Sequence, residues 1–476
     1  MPETPRDPPP RPGARSSARL TGRAAGPLDP STAGWLVRLV EAFLDVHDRG
    51  ASERAVMQVI AEQPDAPREE LAARLADRRL RGIGLRPGGP ALAPALEARL
   101  APLLPPPGPA RDHVVGTVAV LAAQWEVLDD IALLYENRSQ REERALEAFT
   151  VSALLLNDVA LARRLHQAHL EAAGGKAIDL APWAAEVEKL LMVRGAKRGR
   201  GVPISGLTYL DTRAFALLAA HYFERASVEE AGVQKLHALT NSQKIGLVEL
   251  LIALAWADGR LAAEERRMID QQIGLADLSP ADKRRLEALL ERRPSLEELE
   301  LGPTSPDARR FFLEQGVLLT LVDDDLSPAE QALLEEVARR LGGTSEELEA
   351  TILEVVAFYE KNRDAIRDFG PVSGAFGRLR TLVADRAQRA VMSNLRKLVT
   401  EVKETGELAK LLGMASLREL TPEEMGKVKS QLLDICKTIP ALAIFVLPGG
   451  AILLPILLKV LPFSLLPTAF NDDAAR

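Results

Sequence analysis

Residues Ile252–Ile269 read IALAWADGRLAAEERRMI, and sixty-five residues later Val317–Leu334 read VLLTLVDDDLSPAEQALL. In register, Leu254 meets Leu319, Asp258 meets Asp323, Leu261 meets Leu326 and Glu265 meets Glu330. Each copy opens with apolar residues at helical spacing, passes through an acidic turn and continues as an amphipathic helix. Ser327-Pro328-Ala329-Glu330 supplies a Ser N-cap, Pro at the first helical position and Glu three residues after the cap. Ser279-Pro280-Ala281-Asp282 is a similar start with Asp in the Glu position. Two copies are too few for a solenoid, so they are expected to form the halves of one compact helical domain.

The same periodicity extends outward. Trp35, Leu36, Leu39, Val40, Phe43 and Leu44 form one helical stripe, and helical segments continue to about Leu75. A loop rich in Gly and Pro follows, with Pro87-Gly88-Gly89-Pro90 and Pro105-Pro106-Pro107. Helices are predicted over Val114–Arg138 and Arg141–Leu170, with a break at Arg194–Gly206 and a restart near Thr212. Alternating β-branched runs, Asn-Gly hairpins and a strand-borne GxGxxG are absent, whereas Ala and Leu abound. The fold class expected is all-α.

Length sets two to four domains at roughly 100–200 residues each. The first residues, MPETPRDPPPRPGARSSARL, lack the apolar core of a secretory signal and offer little surface to bury. The layout is therefore a disordered Pro/Arg-rich tail over 1–34, N-terminal helical domains over 35–240, a two-half helical domain over 241–364, connecting helices over 365–416 and a final segment over 417–476. A net charge of -7 gives no basic face for nucleic acid, and none is expected as a partner. The one cysteine, Cys436, excludes an intramolecular disulfide.

The helix, Asp-turn, Leu and Glu-Glu helix pattern resembles the tellurite-resistance TerB-like family over about 241–364. The resemblance implies a helical bundle of two such halves, fused in many members to membrane proteins and taking divalent cations at acidic turns. Asp258, Glu264 and Glu265 in the first copy, with Asp323, Asp324, Asp325 and Glu330 in the second, could offer hard oxygen ligands to calcium or magnesium. Asp324 stands where the first copy has Gly259. Read without the resemblance, Asp in the turn and Glu in the first helical turn cap the helix and complement its dipole.

The final segment is of another kind. Thr438–Leu458 reads TIPALAIFVLPGGAILLPILL, without a charged residue. At 1.5 Å per residue, about twenty helical residues span the roughly 30 Å hydrocarbon core. Lys459 follows, placed to snorkel to the interface. Pro440, Pro448, Pro455, Pro462 and Pro467 would damage a soluble helix but are tolerated in a bilayer where freed carbonyls find partners. Pro448-Gly449-Gly450 allows either a kinked single span or a shallow hairpin. Lys427, Lys429 and Lys437 precede the segment, so the positive-inside bias puts the large N-terminal body in the cytoplasm.

Leu420-Thr421-Pro422-Glu423-Glu424, Ile439-Pro440, Val446-Leu447-Pro448, Leu453-Leu454-Pro455, Lys459 and Leu465-Leu466-Pro467-Thr468-Ala469-Phe470 together resemble the LETM family, the leucine-zipper and EF-hand-containing transmembrane proteins of mitochondria and their bacterial relatives. The resemblance implies an inner-membrane protein of cation homeostasis, linked to cation–proton exchange, with a ribosome-binding domain in some members. Ala451 occupies the place of an acidic residue in the mitochondrial members, and six residues follow Phe470, so the post-membrane domain is expected to be missing.

Other candidates are smaller. His166 and His169, three apart on a helix, could share a metal with Asp158 or Glu171. Arg194, Lys197, Arg198 and Arg200 form a basic loop that could meet anionic headgroups. Cys436 reads as a site of acylation or, more simply, a buried inert thiol. No catalytic constellation emerges, so no enzyme is expected. The expectation is a membrane-anchored scaffold or sensor in cation homeostasis or envelope stress, in a bacterial inner membrane, working as a homo-oligomer or with a membrane-protein partner. The alternative is an oligomeric cation/proton transport component.

Overall fold

The computed structural model describes residues 28–80, 92–198, 205–299, 301, 306–319, 328–361, 387–388, 391–415, 418, 420–439, 442 and 457. Among them no residue is in a strand. The helices are α1 (Trp35–Val46), α2 (Arg49–Glu62), α3 (Arg68–Leu80), α4 (Pro94–Leu100), α5 (Pro109–Leu134), α6 (Arg141–Leu155), α7 (Val159–Ala173), α8 (Ala181–Arg198), α9 (Ser205–Arg225), α10 (Glu230–Ala255), α11 (Ala263–Leu275), α12 (Pro280–Leu290), α13 (Pro306–Leu319), α14 (Pro328–Arg340), α15 (Ser345–Lys361), α16 (Leu395–Glu404), α17 (Gly406–Ala415) and α18 (Pro422–Thr438). The all-α expectation holds throughout them.

Several boundaries differ from the sequence reading, each for a local reason. The helix expected over Arg141–Leu170 is two. Asn157 takes φ 60, and Asp158 then caps α7 by accepting from the Leu161 N–H at 2.8 Å. Asn tolerates the left-handed region and Asp is a strong N-cap, so the pair stops one helix and starts another. The break at Arg194–Gly206 narrows, since α8 runs to Arg198 and α9 begins at Ser205. Inside the Gly/Pro-rich stretch lies α4, which begins on Pro94 and buries Leu96 and Leu100. The limit placed at 240/241 falls within α10. Of the tail read over 1–34, residues 1–27 lie outside the described residues, while Leu28 is fully buried and its N–H meets the Leu103 carbonyl at 2.5 Å.

Around the repeat, α10 packs with α11 and α12, and α13 packs with α14 and α15. Helices α10 and α13 pack on one another at the centre. Gly316 on α13 sits where a Cβ would lie 2.8 Å from Leu334 and 3.2 Å from Leu254, so the missing side chain lets three helices approach. Register is kept across the halves: Leu254 and Leu319 are both buried, as are Glu265 and Glu330. Trp256 Nε1 donates to the Leu290 carbonyl at 3.1 Å, tying the turn after α10 to the end of α12.

The N-terminal helices dock on this unit through α9, which packs on α3, α5 and α6 on one side and on α10 on the other. A second tie is Glu188 of α8. Its carboxylate accepts from the Gly34 N–H at 2.9 Å and the Leu36 N–H at 2.7 Å, capping α1 from 152 residues away in the chain. Gly34, at φ 84, offers no side chain for the purpose. The last three helices, α16 to α18, pack against one another.

Removing the Glu188 carboxylate leaves the first N–H groups of α1 buried without an acceptor, a loss of about 1–3 kcal/mol. Glu188→Ala is therefore expected to lower the unfolding free energy by that amount in denaturant titration, with Glu188→Gln in between.

Candidate functional site

The first acidic turn is a helix-start device. Gly259, at φ 86, reverses the chain after Trp256, and Asp258 Oδ1 accepts from the Arg260 N–H at 2.9 Å. Glu265 reaches back so that its Oε2 accepts from the Ala262 N–H at 2.9 Å. This is half of a capping box, since Ala262 at the N-cap has no acceptor of its own. Asp258 is exposed and Glu265 buried, so their carboxylates perform separate jobs. Glu264 lies in the first turn of α11. Of the second copy, Asp323, Asp324, Asp325 and Ser327 lie outside the described residues, and Glu330 is a buried residue of α14. Among the described residues no group of three or more His, Cys, Asp or Glu stands together to hold a metal ion. The helix start at Ser279 is as expected, with its Oγ accepting from the Asp282 N–H at 3.1 Å.

His166 and His169 do come together, their ring centroids 6.3 Å apart, but with other partners than those foreseen. Asp158 is spent on the α7 cap, and Glu171 pairs with Lys176 at 2.6 Å. Instead, His166 Nδ1 lies 2.9 Å from the Tyr222 hydroxyl of α9. His169 Nε2 lies 3.0 Å from Glu147 Oε1, an ion-pair contact off the line of a formed hydrogen bond. Glu147 is 1% exposed and accepts from Asn137 Nδ2 at 2.7 Å and from the Ser139 hydroxyl at 2.5 Å. Burial first, then the neighbouring His169, holds the His166 imidazole below its ordinary pKa. Burial, reinforced by the Glu147 charge, pushes the Tyr222 phenol up. The Tyr222 O–H is thus the donor and His166 Nδ1 the acceptor. Glu147 and Tyr222 had no signal in the sequence beyond being polar residues on apolar helices.

A second His–carboxylate pair lies close by. His47 Nε2 is 3.0 Å from Asp129 Oδ2, and Arg144 pairs with the same carboxylate. Burial raises the Asp129 pKa, but the bonds from His47 and Arg144 overcome it and hold the carboxyl below its ordinary value. Asp129, Asn137, Ser139, Arg144, Glu147 and Arg49 line a small cavity of about 10 Å³, room for roughly one water molecule.

Toward the C-terminus, the Thr421-Pro422-Glu423-Glu424 stretch proves to be a complete helix start. Thr421 Oγ1 accepts from the Glu424 N–H at 3.3 Å, and Glu424 Oε2 accepts from the Thr421 N–H at 2.9 Å. Arg418 pairs with Glu424 at 2.6 Å and, with the Thr421 bonds, brings its pKa down to about 2. Cys436 is fully buried, and burial pushes its thiol up to about 12, the inert reading rather than a reactive one. Lys427, Lys429 and Lys437 are exposed. No described helix is long and apolar enough to cross a membrane. Pro440, Pro448, Gly449, Gly450, Pro455, Lys459, Pro462 and Pro467 lie outside the described residues, as does Arg200 of the basic loop.

Comparison with known families gives two matches. Residues 184–353 match a protein family of unknown function, DUF533, which is the TerB-like family. Residues 420–476 match the family described as LETM1-like, RBD. The TerB-like likeness thus begins earlier than the sequence reading placed it, within α8, and takes in the whole of α9. The second match is to the RBD of the LETM1-like proteins, so the stretch read as a membrane segment carries that designation. No curated protein and no solved structure gives a significant match.

Loss of the Glu265 acceptor uncovers the Ala262 N–H, and caps of this kind are worth about 0.5–2 kcal/mol. Glu265→Ala is expected to lower stability by that amount in chemical denaturation. Maleimide is expected to label Cys436 slower in the native chain than in denaturant by on the order of a hundredfold, followed by mass spectrometry.

Proposed function

We propose that the chain is a LETM-related membrane protein, in which the helical body of α1–α15 is held at a bilayer by the segment after α18 and serves there as a scaffold or sensor. The observation that carries this reading is the charge-free run Thr438–Leu458 inside the stretch that matches the LETM1-like family. A run of this length and composition has its most favourable surroundings in hydrocarbon. The exposed Lys427, Lys429 and Lys437 on α18 place positive charge just before it, which orients the body to the cytoplasmic face of a bacterial inner membrane. A part in cation homeostasis or envelope stress follows from the LETM likeness. One segment cannot enclose a pathway alone, so the transport form of the reading requires a homo-oligomer or a membrane-protein partner.

A second reading has its own support in the RBD designation of the matched stretch. In it, residues 420–476 dock the body on the ribosome, as that domain does in some LETM members.

The discriminating experiment is membrane fractionation of the full-length chain and of a version ending at Leu417, with an alkaline carbonate wash before detergent. Full-length protein alone is expected in the carbonate-resistant pellet. If both forms wash into the supernatant, the membrane reading falls. Co-sedimentation of the washed full-length form with ribosomes, lost on truncation, would then establish the second reading.

A further inference from the structure

We infer that His166, His169, Glu147 and Tyr222 form a proton-sensing site that governs how tightly α7 is held on the helical body. The site stands on geometry and is independent of how the C-terminal segment meets a membrane.

Helix α7 is fastened by two kinds of contact. Its apolar face buries Leu161, Ala162, Leu165 and Ala168, mainly against α6. Its polar contacts divide between rim and interior. At the rim, Arg163 pairs with Glu230 of α10 at 3.0 Å, and Arg164 with Glu186 of α8. These pairs are exposed and add little to the hold on the helix. In the interior, His166 Nδ1 accepts a hydrogen bond from the Tyr222 O–H, and His169 faces Glu147. The groups facing the imidazoles are Glu147 from α6 and Tyr222 from α9, with uncharged Asn137 and Ser139 from the turn before α6. Asp129, Arg144 and Arg49 line the same small cavity as Glu147.

The four side chains cannot all satisfy one another once His166 takes up a proton. Its Nδ1 then carries a proton that the Tyr222 oxygen accepts only by turning its own O–H away, and that buried O–H is left without its acceptor. At the same time a cation arises beside His169 in the buried cluster. His169 begins without slack: its Nδ1 is buried with no partner, and its Nε2 meets Glu147 off-line. A buried Tyr222–His166 bond that forms with a neutral imidazole and is broken by a charged one is a switch in the pH range of histidine.

The sign follows from the direction of the His166 shift. Its pKa in the fold lies below the ordinary imidazole value of 6.5 because of burial and His169. The stabilising contribution is therefore complete above 6.5 and is lost as pH falls from there through the folded-state value. Each pH unit between the two values weakens the hold on α7 by about tenfold.

The test is hydrogen exchange of the full chain at pH 7.5 and 5.0, corrected for intrinsic rates, comparing peptides from α7 with those from α5 as an internal reference. The α7 protection is expected to fall relative to α5 on acidification. In His166→Gln, where the amide keeps an acceptor for Tyr222 but cannot charge, the α7 to α5 ratio is expected to be independent of pH. No loss of α7 protection in the unmodified chain, or the same loss in His166→Gln, overturns the inference. NMR titration of the unmodified chain with labelled histidine serves if the variant does not fold. A His166 midpoint below 6.5 supports the site, and a midpoint at or above it overturns it.

Discussion

The rest of the body depends on the burial of α9. Phe215, Ala216, Leu218, Ala219 and Ala220 are at most 1% exposed, yet Thr208, Asp211, Thr212 and Arg213 are buried with them. A helix covered on all sides must satisfy its polar groups from its neighbours, because water cannot reach them. Here each partner comes from a different helix. Tyr209 donates to Asp77 of α3, and Arg213 lies 3.6 Å from the same carboxylate. Gln124 of α5 reaches Thr212 at 3.5 Å, and Lys244 of α10 pairs with Asp211 at 2.7 Å. Apolar contacts alone would tolerate a sliding of α9 among its neighbours. The buried pairs do not, since a shift by one residue would strand a charge in the core at a cost of several kcal/mol.

That constraint explains why the N-terminal helices and the repeat form one packed unit. The family match begins in α8, and α8 contributes Glu188 to the start of α1 while α9 contributes the polar seam to α3 and α5. A limit drawn by sequence pattern alone falls inside α10, because the pattern marks where the repeat begins and not where its packing partners end. The stripe Trp35–Leu44 was legible because only one face of α1 is buried, so its periodicity survives in the sequence. The polar residues of α9 blur any stripe, and their partners lie up to 132 residues away. The start of α7 was legible in principle, for Asn157-Asp158 is a stop and a cap in adjacent positions, but the apolar run on either side masks it.

The same distance separates what could and could not be read at the histidines. Their spacing on one helix was visible, and it placed the two rings on one face as expected. The carboxylate and phenol that complete the cluster belong to α6 and α9, and nothing in local pattern distinguishes Glu147 or Tyr222 from other polar residues of those helices. The acidic turns show the opposite case. Glu265 was legible both as a ligand and as a cap, and the local geometry gives its carboxylate to the Ala262 N–H. An acidic residue three places after a turn has a structural use that requires no ion, so charge at such a place is weak ground for a metal.

The C-terminal motif can be divided on similar grounds. Its first part, Thr421 to Glu424, is accounted for by helix-start chemistry: two reciprocal side-chain bonds, Pro at the first position and an Arg418 pair that keeps Glu424 ionised. These residues would begin a helix in any surroundings, so their part in the likeness speaks to where α18 starts and not to what it meets. The helix so begun buries Val428, Leu432, Ile435 and Cys436 on one face and leaves its lysines exposed. It ends at Thr438, where the charge-free run starts. At that point the sequence changes from amphipathic to charge-free. The cap fixes where α18 begins, and the likeness to the LETM1-like family continues through the run beyond it.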